Sequence, residues 1–77
     1  MEPHDAVLAV LTEEGSPLHW TKVQDLALRR GYLDPFETPD VRRQVQTALH
    51  ALADEGLAIR TAKGVYAAAP LPDDRRG

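Results

Sequence analysis

The chain contains no cysteine, which excludes disulfide bonds and thiolate metal sites. It also lacks a long hydrophobic run: the apolar stretch at residues 6–11 is far shorter than the roughly 20 residues that cross a bilayer. The N-terminus carries acids where a signal peptide carries bases. Because cysteine-free chains suit reducing compartments, we expect a soluble cytoplasmic protein, nucleoid-associated if bacterial, with no membrane partner.

Signatures of catalysis are missing as well. The sequence has no glycine-rich phosphate loop, and Ser16 directly precedes Pro17 without a nucleophile elbow around it. Its three histidines, His4, His19 and His50, fall on separate predicted elements with no acid cluster at ligand spacing. We therefore expect no enzymatic activity, no metal site and no other cofactor.

What remains is the composition of one small globular domain. The 77 residues are 43% hydrophobic and 27% charged, an ordinary balance for a folded chain. We place the domain at residues 4–69. Residues 70–77 are charged and broken by proline, which predicts a disordered tail or linker.

Three helices are predicted, the first over residues 4–14 and the second over residues 20–30. The third is the clearest, with Thr38 as N-cap and Pro39 at its first position. Its apolar residues fall within about 100° of arc; they are Val41, Val45, Ala48, Leu49 and Leu52.

The start of the second helix is unusual. Leu18 and Val23 have the spacing of a hydrophobic staple, with His19 in the cap position between them. Because histidine is a poor N-cap, we expect His19 to make a buried hydrogen bond instead. We expect Trp20 to be half-buried beside the first helix; exposed together with Tyr32 and Phe36, it would mark a partner surface.

The C-terminal part predicts a hairpin. Residues 57–61 alternate in the period of a strand, Lys63 and Gly64 supply the turn, and residues 65–68 return. The order of elements predicts an α+β, mostly helical fold. It is a winged helix-turn-helix of three helices and a C-terminal two-strand wing hairpin, with a third, very short strand near Leu18.

Two segments, "GSPLHWTKVQDLALRRGYL" and "TPDVRRQVQTALHALADEGLAIRTAKGVYAAA", resemble the HARE-HTH winged-helix family. The resemblance covers roughly residues 6–69. Members of that family occur in bacterial restriction and DNA-modification systems, in eukaryotic chromatin proteins and in the RNA polymerase delta subunit. The resemblance therefore implies a binding module acting in transcription or on DNA.

The distribution of charge indicates where DNA would bind. The net charge is −3, yet residues 41–66 hold four bases against two acids. A recognition helix presents its N-terminal half to the major groove, and wing cations lie against the backbone. The candidate contacts to double-stranded DNA are Arg42, Arg43, Gln46, Thr47, His50, Arg60 and Lys63. We expect weak binding by the monomer, so that useful affinity requires a homodimer or a larger parent protein.

Two other interpretations stay open for the paired arginines. Arg42 and Arg43 are also what a merely solvated helix face contains, since arginine is a good helix former. Alternatively, the domain contacts a protein rather than DNA, for example RNA polymerase. The acidic total and the acid-rich first helix favour that alternative.

Overall fold

The structure, a computed structural model, describes residues 1–70. Its elements in chain order are α1 (Pro3–Glu14), β1 (Leu18–His19), α2 (Trp20–Arg29), α3 (Val41–Asp54), β2 (Ala58–Ala62) and β3 (Val65–Ala68). This is the order of a winged helix, and it confirms the predicted α+β class. The tail predicted at residues 70–77 lies, from residue 71 onward, outside the described residues.

The three helices enclose one hydrophobic core. Each of them turns a stripe of fully buried side chains inward, as the 3.6-residue period of their apolar residues predicts. The largest buried side chains are Val7, Val10, Leu11, Val23, Leu33, Val45, Leu49 and Leu52. The core contains no buried charged or polar residue within the described part of the chain.

The strands form an antiparallel sheet in the order β1-β3-β2, so the very short strand predicted near Leu18 is present. The β2–β3 hairpin, called the wing below, turns at Lys63 and Gly64, where Gly64 takes a φ of 74°. Tyr66 on β3 is only 6% exposed and closes the core, while Ile59 on β2 is 45% exposed. The small Ala58 occupies the inward position on β2 instead, where it faces Ala68 across the ladder.

The second helix ends at Arg29, one residue before the predicted end. Gly31 has a φ of 74°, and the N–H of Tyr32 donates to the carbonyl of Ala27 at 2.9 Å. That pattern is the glycine-mediated helix stop. The folded-back Tyr32 then donates its hydroxyl hydrogen to Glu13 on α1 at 2.6 Å, and this hydrogen bond raises the pKa of Tyr32.

The predicted start of the third helix is wrong by two residues. The N-cap is Asp40, not Thr38, and Pro39 precedes the helix. The Asp40 carboxylate accepts from the N–H of Arg43 at 3.3 Å, while Thr38 is held in the preceding loop by Asp34. Asp40 has a φ of 52°, a left-handed conformation that aspartate tolerates better than most residues. Sequence patterns favoured Thr38 because the threonine–proline pair is a common helix start.

The expectation for His19 is also wrong. His19 is exposed and is itself the N-cap of α2: its Nδ1 accepts from the N–H of Thr21 at 3.3 Å and lies 2.8 Å from the Thr21 hydroxyl. Histidine can act as the N-cap here because its ring nitrogen accepts a hydrogen bond from the free backbone N–H, as the side-chain oxygen of serine or aspartate does in a common N-cap. Trp20 is half-buried, as predicted. The contacts that the structure gives for its ring are with Arg42 on α3 and with the wing turn at Gly64, not with the first helix.

Within residues 1–70, the helices are too short and too polar for any of them to cross a membrane.

Candidate nucleic-acid interface

A groove of about 450 Å³ lies between α3 and the wing. We call it the α3–wing groove. Helix α3 contributes Gln46, Leu49 and His50, and the wing contributes Arg60, Lys63, Gly64 and Tyr66. His19 and Trp20, at the start of α2, close one end. Four of the seven predicted contacts, Gln46, His50, Arg60 and Lys63, therefore line one concave surface.

Arg42 does not line this groove itself but contacts Trp20, which does. Its guanidinium carbon is 5.4 Å from the centroid of the Trp20 ring, within the range of a cation–π contact. Arg42 remains exposed, so its donors stay accessible to a ligand while its position is fixed by the ring. This pairing is not predictable from sequence spacing, because Arg42 and Trp20 are far apart in the chain.

The two remaining predicted contacts lie on a neighbouring strip of α3. Arg43 and Thr47, one helical turn apart, are both exposed. Thr47 borders a separate, shallower depression together with Pro3 and His4 of α1. The structure thus places Arg43 and Thr47 on the solvent side of α3 but outside the α3–wing groove.

The cations of this surface have no acidic partner among residues 1–70. The ion pairs of the described chain lie elsewhere: Arg30 pairs with Glu13 and Glu14, Arg29 with Asp25, and His4 with Asp5 and Glu55. Acids of α1 and α2 thus pair with residues that do not line the groove. Arg42, Arg43, Arg60 and Lys63 are exposed and available to contact a ligand.

Tyr66 is one of the five groove residues that were not predicted from the sequence, with His19, Trp20, Leu49 and Gly64. Its ring is 6.4 Å from the ring of His50, and no hydrogen bond to its hydroxyl group is present in the described structure. In the sequence, Tyr66 looks like an ordinary strand residue with an apolar ring. Only the pairing of Tyr66 with Leu18 and Arg60 across the sheet brings it to the groove.

Phe36 defines a second surface. It is 96% exposed, whereas Trp20 and Tyr32 are half-buried, so the three do not form one exposed aromatic patch. The loop that carries it is ordered by hydrogen bonds, because Asp34 accepts from the N–H groups of Phe36 and Thr38, each at 2.8 Å. The loop is acidic, with Glu37 and Asp40 following Phe36.

Among residues 1–70, no three His, Asp or Glu side chains lie close enough to hold a metal ion. Comparison of the chain with protein-family models, with curated proteins and with solved structures finds no significant match.

Proposed function

We propose that this domain binds double-stranded DNA, with α3 as the recognition helix and the wing against the phosphate backbone. The observation that supports the proposal best is the exposure, on these two adjoining elements of an otherwise acidic chain, of four cations that have no acidic partner among residues 1–70. A net charge of −3 disfavours indiscriminate attraction to phosphate, so the local concentration of charge decides where DNA binds.

The contacts divide by chemistry. In the N-terminal half of α3, Arg42 and Arg43 have the planar donors that recognise guanine bidentately, and Gln46 has the donor and acceptor that recognise adenine. Thr47 and His50 extend the same solvent side of the helix. Arg60 and Lys63 on the wing are placed to contact phosphates, which fix orientation and carry no sequence information.

The resemblance to HARE-HTH domains supports the same proposal. It favours a small transcription-related regulator, or the targeting domain of a larger DNA-acting protein. Arginine contacts phosphate as well as guanine. When all four cations, Arg42 and Arg43 included, contact phosphates, the logarithm of the binding constant should fall against the logarithm of salt concentration with a slope of about −3.6. We expect the monomer to bind duplex DNA with a dissociation constant of about 1–100 µM, typical of sequence-independent binding. We expect a dimer to bind more tightly.

The test is fluorescence anisotropy of a labelled blunt duplex with the wild type and with Arg42→Ala/Arg43→Ala. We expect the double variant to bind at least about tenfold more weakly and to have a shallower salt slope, by about 0.9 for each phosphate that is no longer neutralised. Arg29→Ala is the control, because it removes a positive charge on α2 outside the groove. Wild-type affinity in the double variant would overturn the proposal.

A second candidate function is protein binding through the Phe36 loop, and the 96% exposure of that ring favours it. An exposed aromatic on an ordered loop loses little entropy on binding and is typical of interface anchors. The acids beside Phe36 select a basic partner surface, such as one on RNA polymerase. Phe36→Ala should abolish binding to purified RNA polymerase and leave duplex affinity unchanged; binding that survives the substitution rules out this anchor.

A further inference from the structure

The α3–wing groove contains aromatic chemistry that contact with a duplex leaves unexplained. Phosphates and base edges call for cations and amides, whereas the groove also presents the rings of Trp20, Tyr66 and His50. The ring of His19 stands 5.7 Å from that of Trp20, tilted by 34°. Aromatic side chains beside cations are the means by which proteins hold unpaired bases, because every base has a π-face.

The dimensions of the groove fit one small aromatic ligand. Its volume of about 450 Å³ lies within the range of small-molecule sites, roughly 300–1,000 Å³. A base within a duplex is stacked on its neighbours and shows only its groove edges, whereas a base outside the duplex offers both its face and its edge to such a site. Gly64 lets the wing turn approach these rings closely, since a Cβ there would lie 3.1 Å from Nε2 of His19 and 3.3 Å from Cδ1 of Trp20.

The polar groups of the groove are free to bind such a ligand. Within the described chain, the side chains of Gln46, His50 and Tyr66 make no hydrogen bond to protein. An amide, an imidazole and a phenol together offer donors and acceptors for the edge of a base. Arg60 and Lys63 line the wing side of the groove, form no ion pair within residues 1–70, and can therefore hold its phosphate.

We propose that the α3–wing groove binds one unpaired nucleotide, with its base against Trp20, the edge of that base at the Tyr66 hydroxyl, and its phosphate at Arg60 and Lys63. The inference rests on the proposed function, because it assigns a ligand to part of the same surface. In a DNA complex this nucleotide belongs to a strand that leaves the duplex at an end, gap or flap. A free mononucleotide offers the same base and phosphate chemistry.

Trp20 provides a direct readout, because it is the only tryptophan of the chain and lines the groove. We expect dAMP to quench its fluorescence saturably, and inorganic phosphate or deoxyadenosine alone to quench it far less. A duplex with a three-nucleotide single-stranded overhang should bind about fivefold or more tightly than the blunt duplex, which is the lower end of base–aromatic stacking.

The dAMP titration and the overhang comparison together distinguish a free nucleotide from a nucleotide within a DNA strand. Saturable dAMP quenching without a preference for the overhang assigns the groove to a free nucleotide. A preference for the overhang without measurable dAMP binding assigns it to a strand. If dAMP does not quench and the overhang gives no preference, the inference is overturned.

Matched variants locate the effect. Arg60→Gln and Lys63→Gln should each weaken dAMP binding several-fold, while Arg29→Gln, which removes the same charge about 13 Å along α2 from Trp20, should not. Tyr66→Phe keeps the buried ring and removes only the hydroxyl, so it should fold and weaken dAMP binding or the preference for the overhang. Circular dichroism checks folding, and equal weakening by Arg29→Gln contradicts the proposal.

The experiments can overturn the duplex interface and the nucleotide site independently of each other. Binding of the blunt duplex, with neither dAMP quenching nor an overhang preference, overturns the nucleotide site and leaves the duplex interface standing. Binding of the overhang strand or of dAMP, without any binding of the blunt duplex, overturns the duplex interface and leaves the nucleotide site.

Discussion

The guanidinium carbon of Arg42 lies 5.4 Å from the centroid of the Trp20 ring. This contact joins the first turn of α3 to the start of α2. The contact joins the two helices of the helix-turn-helix at the edge of the α3–wing groove. It fixes the direction of one of the two arginines proposed to contact DNA. An arginine held in place loses less side-chain entropy on binding than a freely moving one.

This contact predicts different outcomes for the two arginines. Arg42→Ala should lower the free energy of unfolding by about 0.5–1 kcal/mol, the usual size of an exposed cation–π contact. It should also shift Trp20 emission to longer wavelength, because the ring gains solvent. Arg43→Ala should stay within about 0.5 kcal/mol of wild type with unchanged emission. Urea denaturation followed by Trp20 fluorescence measures both; equal effects of the two variants contradict the contact.

The pairing of His4 with Glu55 predicts a pH-dependent stability. The His4 Nε2 lies 2.7 Å from Glu55 and joins the start of α1 to the end of α3. Hydrogen bonding to Glu55, and then to Asp5, raises the pKa of His4 above its usual value of about 6.5. The stabilisation is therefore fully present below the unfolded-state pKa and is lost as pH rises through the higher folded-state pKa.

Glu55→Gln should thus destabilise the domain more at about pH 5.5 than at about pH 8.5, both above the carboxylate pKa range. It should also lower the pKa of His4, which proton NMR of the imidazole resonances measures directly. Asp54→Asn removes the same charge one residue earlier, where no ion pair forms in the described chain, and should show neither effect. A destabilisation by Glu55→Gln that does not change with pH argues against the pairing.

The position of the α3 cap makes a third prediction. Asp40→Ala removes the cap and leaves alanine with a positive φ, so it should cost about 1–2 kcal/mol of unfolding free energy. Asp40→Asn keeps a capping oxygen and tolerates the same φ, so its cost should be small. Thr38→Ala should cost less than Asp40→Ala. Chemical denaturation ranks the three, and a larger loss from Thr38→Ala would restore Thr38 as the cap.

Some elements of this structure could be predicted from the sequence and others could not. The third helix was predictable because Val45, Leu49 and Leu52 repeat with the helical period and nothing competes with that pattern. The wing was predictable because Gly64 is a strong turn signal after the alternating run at residues 57–61. Both are local patterns.

The cap, His19 and the groove were not predictable for one shared reason. Whether Thr38 or Asp40 caps α3 depends on how Asp34 ties down the preceding loop, and that is a tertiary outcome. His19 caps α2 against its statistical preference because β1 pairs with β3 immediately before the helix. Tyr66 and Trp20 meet α3 only through the sheet, so no spacing along the chain indicates that they share a groove.

Gly64 gives a prediction that links the turn to the groove. Gly64→Ala combines an unfavourable positive φ with a Cβ crowded against His19 and Trp20. We expect a loss of about 1–2 kcal/mol in unfolding free energy and a changed Trp20 emission spectrum. Gly15→Ala has a similar φ but open space around it, so it should cost stability without altering Trp20 emission. Unaltered emission in Gly64→Ala would contradict the described packing of the turn.

The most direct measurement of the central claim is an NMR titration of the labelled domain with a short blunt duplex at low and moderate salt. Binding through α3 and the wing predicts amide shifts concentrated at residues 41–50 and 60–64, decreasing as salt increases. Shifts confined to the Phe36 loop and α1, or no shifts at low salt, would contradict a DNA interface at the α3–wing surface.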